Sequence, residues 1–214
     1  MIRYTRAARA LAICLAGLAG FVDAVGFLQT GGLFVSFMSG NSTRLAVGLA
    51  EAVPVAGLAA QLIVSFVVGV VLGGLLAARW PAVRKALVLA VVALLIALAA
   101  GMESLGFARL MLVPLAMAMG CINNVFQRDG DVTIGVTYMT GALVRAGQRI
   151  ADALRGGPRW DWLPFLLLWT GLVAGAIVGA LLFARFGVPC LWIAAAAAAL
   201  LSLWGGRLQL REGR

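Results

Sequence analysis

Two stretches, "AAQLIVSFVVGVVLGGLLAA" (Ala59–Ala78) and "LPFLLLWTGLVAGAIVGALLFA" (Leu163–Ala184), run without one charged side chain. A helix of about 20 residues spans the hydrocarbon core of a bilayer. Lipid offers no partner for backbone N–H and C=O groups, so such runs cross it only as helices or as closed barrels. Two-residue alternation is absent, which argues against a barrel. The whole chain agrees with its greasiest parts. Of 214 residues 63% are hydrophobic and 12% charged, with mean hydropathy +1.04, whereas a soluble domain is near half apolar and a quarter charged. The expected fold class is an all-α polytopic membrane protein forming a single transmembrane domain over residues 1–214.

Apolar segments fall at 8–29, 55–78, 86–101, 107–126, 162–184 and 188–206. Two shorter and more polar ones lie at 38–52 and 139–154, and the arginines decide whether these cross. The N-terminus starts basic, with Arg3, Arg6 and Arg9, then turns apolar for longer than a signal peptide does, so it reads as a retained first span. The positive-inside bias puts those arginines in the cytoplasm. If 38–52 crossed, "RWPAVRK" with Arg79, Arg84 and Lys85 would land outside. If it only dips into the membrane, that loop lands inside, followed by "QRDGD", by Arg149, Arg155 and Arg159, and by Arg207, Arg211 and Arg214. Six transmembrane helices plus two half-helices, with both termini cytoplasmic, is the expectation. Trp160, Trp162 and Trp169 suit an interfacial belt.

The polar interruptions that open the two dips are near copies. "VSFMSG" (Val35–Gly40) matches "VTYMTG" (Val136–Gly141), and Arg44 matches Arg145. "GFVDAV" (Gly20–Val25) matches "GCINNV" (Gly120–Val125), setting Asp23 against Asn123. "GVVLGGLLAARW" (Gly69–Trp80) matches "GAIVGALLFARF" (Gly175–Phe186). Repeat one is expected over 8–101 and repeat two over 107–206. Three crossings per repeat is an odd number, so the copies have inverted topology, and Arg185 lies outside as the image of Arg79. Inverted repeats with broken helices place a solute site near the midplane, where the breaks meet.

"GFVDAVGFL" followed by "GGLFVSFMSGN" resembles the signature of the YoaK-like bacterial six-span membrane proteins, a domain-of-unknown-function family. The resemblance covers nearly the whole chain and implies a multi-pass protein of the bacterial cytoplasmic (inner) membrane. It implies no substrate.

The site expected from the residues combines Asp23, Ser36, Ser39, Gly40, Asn41 and Arg44 with Asn123, Thr137, Thr140, Gly141 and Arg145. Short hydroxyl side chains cap free backbone N–H groups at helix starts, and the helix dipole adds positive potential there. An arginine at membrane depth costs about 2.5–3.5 kcal/mol on insertion scales, so Arg44 is expected to pair with Asp23. Arg145 faces the neutral Asn123 and is left to bind an anion or carboxylate. Competing readings stay open: the arginines snorkel to headgroups, Asp23 caps the neighbouring half-helix, and Asn123 and Asn124 satisfy broken backbone.

The expected function is secondary transport or permeation of a small anionic solute. The alternatives are a non-transporting membrane scaffold or accessory subunit, and thirdly a channel. Enzyme chemistry is not expected, since the chain has no histidine and no paired carboxylates. Asp129 and Asp131 read as a plain turn. Cys14, Cys121 and Cys190 show no metal or redox spacing and read as buried small hydrophobes. No cofactor or metal is expected. The net charge of +9 sits at the ends of apolar runs, which marks orientation in a membrane rather than nucleic-acid binding. Expected partners are the lipid bilayer, the solute and, because the chain is short for a transporter, a second copy in a homodimer.

Overall fold

A computed structural model describes residues 4–128 and 131–212; Arg3, Asp129 and Arg214, used above, lie outside the described residues. Among the described residues eight α-helices follow one another: α1 Arg6–Thr30, α2 Met38–Ala50, α3 Val55–Arg79, α4 Arg84–Ser104, α5 Leu112–Cys121, α6 Met139–Leu154, α7 Leu163–Phe186 and α8 Leu191–Glu212. Five helical stretches among the described residues are long and apolar enough to cross a membrane, and a sixth, Leu112–Phe126, is shorter. The stretch expected to begin a span at 107 instead makes turns as far as Met111, with the Phe107 N–H bonded back to the Met102 carbonyl at 2.9 Å. Pro114 then sits in the first turn of α5, where its missing N–H is harmless. Gln127–Arg128 (β1) and Asp131–Val132 (β2) pair as a two-residue antiparallel ladder.

α1 is the central element. Its apolar window is 61% buried, against 17% for α7, which turns most of its surface outward. Glycines set how closely the helices approach. A methyl at Gly175 would collide with the carbonyl of Gly17, and one at Gly20 with that of Leu172, so α1 and α7 touch backbone to backbone. The same happens between α3 and α5, where Gly69 meets Met117 and Gly120 meets Phe66. Without a hydrophobic drive between helices in lipid, such close contact is what holds them together. α4 lies along α8 through polar bonds: Ser202 Oγ donates to the Ala86 carbonyl at 2.7 Å, and Gln209 Oε1 accepts the Lys85 N–H at 2.8 Å. α2 packs on α3, and α6 on α7. The expectation for the cysteines fails at one position. Cys121 and Cys190 are buried, while Cys14 is exposed on the outer side of α1, because the stripe that α1 buries runs through Leu11, Ala12, Leu15 and Ala16 instead.

Candidate functional site

α1 ends at Gly31, in the left-handed region at φ 70°, and Gly32 follows at φ 129°. Both conformations suit glycine, and they turn the chain into the stretch 33–37 before α2 begins. Three side chains hold this stretch. Thr30 Oγ1 donates to the Gly26 carbonyl at 2.8 Å and accepts the Leu33 N–H at 2.9 Å. Asn41, fully buried, clasps Phe34 from both sides, accepting its N–H at 3.0 Å and donating to its carbonyl at 2.6 Å. Asp23 Oδ1 accepts the N–H groups of Val35 at 2.8 Å and Ser36 at 2.9 Å. The second copy uses other chemistry at the matching positions. Thr137 Oγ1 donates to Asn123 Oδ1 at 3.1 Å, and Asn123 Nδ2 donates to the Met119 carbonyl at 3.0 Å. Asn124 bonds the carbonyls of Cys121 and Val70, tying the 3-10 turn after α5 to α3.

The starts of α2 and α6 face one another across a cavity of about 360 Å³. Ser36–Ser39 line it from one side, Thr137–Gly141 from the other, and Phe66 of α3 adds an apolar wall. No side chain caps either helix: Phe37 and Tyr138 occupy the cap positions and make no side-chain cap bond. The expectation that hydroxyls cap the N–H groups is corrected here. Ser36 and Thr137 stand one residue too early, and Ser39 and Thr140 one residue inside the helix. The first turns therefore carry no side-chain caps, and Met38, Ser39, Met139, Thr140 and Gly141 of these turns line the cavity, where the two dipoles add positive potential.

Five of the expected residues line this cavity: Ser36, Ser39, Thr137, Thr140 and Gly141. The others do not. Asp23 holds the extended stretch of the first copy and lines a separate groove between α1 and α7; Asn123 is buried and holds Thr137; Asn41 points back at Phe34; Gly40 lies under the Phe37 ring. The expected Asp23–Arg44 ion pair is not formed, because the Asp23 carboxylate is turned to backbone and the Arg44 guanidinium lies on Gly32, where a methyl would stand 3.0 Å from Nη2. Arg145 lines a separate chamber of about 100 Å³ with Thr133, Tyr138 and Phe165. Phe37, Tyr138, Met38, Met139 and Phe66 were missed as lining residues. An aromatic at the same place in both copies was the signal available for the first two. Among the described residues no group of three or more His, Cys, Asp or Glu could hold a metal.

A profile described as a protein of unknown function, DUF1275, matches residues 11–204. The UPF0700 transmembrane protein RA0705 of Rhizobium meliloti (strain 1021) is 39% identical over 199 residues, covering 90% of this chain and 84% of that protein. No solved structure matches. Together with the apolar helices, these similarities make the chain a multi-pass membrane protein.

Proposed function

The chain belongs to the DUF1275 family of proteins of unknown function, and within it we propose a secondary transporter or permease for a small anionic solute. The solute binds between the starts of α2 and α6. The observation that carries this reading is the 360 Å³ cavity itself: two helix starts without side-chain caps meet there, and serine and threonine hydroxyls supply further donors. A scaffold would need a dry, packed junction at this place.

The contacts at the helix ends support six crossings and inverted repeats. Tyr4, just before α1, packs its ring against Phe126 at the end of the α5 stretch, and Lys85 at the start of α4 lies over the same ring. Gln209, near the end of α8, bonds the backbone of Pro81 and Lys85. One end of the molecule thus gathers the starts of α1 and α4 with the ends of α3, α5 and α8. In this proposal α2 joins two far ends and α6 joins two near ends, and neither crosses. On this reading the matching elements, α1 with α5 and α3 with α7, point in opposite senses. Arg6, Arg9, Arg84, Lys85, Arg207 and Arg211 share the near end, and the positive-inside bias supports reading it as the cytoplasmic face of a bacterial inner membrane. Trp160 and Trp162, with ring centroids 5.9 Å apart and Arg159 over Trp160, fit its interfacial belt. A homodimer belongs to the same proposal and is read from the molecular mass of the purified protein.

Uptake into proteoliposomes across a panel of small anions and neutral metabolites tests the function. Ser39→Trp and Thr140→Trp fill the cavity, while Val64→Trp changes an outward position that is 62% exposed. The cavity variants are expected to lose at least about tenfold in uptake rate, which is about 1.4 kcal/mol in the barrier, with Val64→Trp unaffected. Uptake that ignores the cavity variants, or a panel in which nothing moves, defeats the reading.

A further inference from the structure

The two cap residues occupy matching positions and lean in opposite directions. Phe37 leans forward over Gly40 of its own helix, where a methyl would stand 2.5 Å from the ring, and meets Phe34 edge-on at 5.3 Å. Tyr138 leans backward over Gly135, where a methyl would collide with it. Gly135 is the counterpart of Phe34, so the backward seat that glycine leaves open in the second copy is filled by a phenylalanine in the first. The arginines differ in the same sense. Arg44 lies on Gly32, whereas Arg145 lines an open chamber with Thr133, the counterpart of Gly32. Tyr138 and Gly141 belong to both the wall of that chamber and the wall of the central cavity.

We propose that Tyr138 is the gate between the central cavity and an anion-collecting chamber headed by Arg145, and that Phe37 with Arg44 is its closed counterpart toward the opposite face. The proposal rests on the transport reading above. A guanidinium is charged at every working pH, and a single-sign charge in a low-dielectric cleft concentrates anions. The central cavity offers only hydroxyl and backbone donors among its described lining residues. An anion that passes Tyr138 therefore exchanges a full charge for partial ones. Such graded sites let it arrive and also leave. The ligand class is a small monovalent anion or carboxylate, since a chamber of about 100 Å³ has little room for more.

Access is measured with Thr140→Cys in a Cys14→Ala background, leaving Cys121 and Cys190 buried. The protein is reconstituted and treated from one face at a time with membrane-impermeant methanethiosulfonates, one anionic and one cationic. Tyr138→Ala, and Gly135→Ala, which unseats the ring, are expected to speed labelling at least tenfold from the Arg145 face and leave the opposite face unchanged. Tyr138→Phe keeps the native rate. Arg145→Gln slows the anionic reagent about tenfold relative to the cationic one. Labelling that is indifferent to Tyr138, that rises equally from both faces, or that shows no charge preference due to Arg145 overturns the proposal. Labelling reads access whether or not a solute crosses. An inert uptake panel with this labelling pattern intact therefore removes the transport reading alone, and the reverse result removes only the gate.

Discussion

Replacing Asp23 separates the side chain's role as a backbone acceptor from any role of its charge. Its Oδ1 receives two N–H groups, from Val35 at 2.8 Å and Ser36 at 2.9 Å, beside residues that are themselves buried. Asp23→Ala leaves both donors unpaired. A buried donor without a partner costs about 1–3 kcal/mol, so the loss is roughly 2–6 kcal/mol, with the lower end favoured because side-chain bonds in bilayers average below 1 kcal/mol in double-mutant cycles. Asp23→Asn keeps an oxygen in place, and Asn123 serves the matching position in the second copy by accepting from Thr137. Its cost is expected to stay below about 1 kcal/mol, the size of an ordinary net hydrogen bond. Unfolding is followed in detergent by titration with dodecyl sulfate, using reaction of the buried thiols Cys121 and Cys190 as the reporter in a Cys14→Ala background. If Asp23→Ala is as stable as the parent, the clasp does not hold the stretch before α2. If Asp23→Asn is as damaging as alanine, charge rather than acceptance is what matters.

Other substitutions test the packing and the topology. Gly175→Leu forces α1 and α7 apart, because even a methyl there meets the Gly17 carbonyl; little folded protein is expected in size-exclusion chromatography. Gly147→Ala, with open space around it in the middle of α6, should raise stability by up to about 1 kcal/mol from helix propensity in the same titration. Asn41→Ala removes both bonds to Phe34 and should cost about 1–3 kcal/mol while exposing the start of α2 to faster hydrogen exchange. Ala82→Cys in whole cells should resist an impermeant thiol reagent until the membrane is opened; ready labelling from outside would make the copies run the same way and remove the inverted arrangement.

Element positions were legible because lipid is a demanding solvent. A segment expected at 55–78 is the helix Val55–Arg79, and one at 162–184 is Leu163–Phe186; a backbone that must bond itself leaves a hydropathy trace in every residue. The two shorter polar segments were equally readable as helices, Met38–Ala50 and Met139–Leu154, since hydroxyls, glycine and arginine stand out in an apolar chain. The start of α5 was misjudged by five residues because hydropathy does not separate an apolar turn such as 107–111 from an apolar helix.

Directions of side chains were not readable. Asp23 and Arg44 looked like an ion pair because they are opposite charges in one repeat, yet Asp23 faces the backbone of Val35 and Ser36 and Arg44 folds onto Gly32. Ser36 looked like a cap but ends one residue short of the position. α1 and the α5 stretch, which carry Asp23 and Asn123, are held by close glycine contacts to α7 and α3, and such contacts join residues far apart in the chain. Hydropathy and repetition, being local and additive, determined where the helices lie and which stretches match one another in sequence. Close packing between distant helices, which depends on three-dimensional shape, alone decided that the two starts meet around open space.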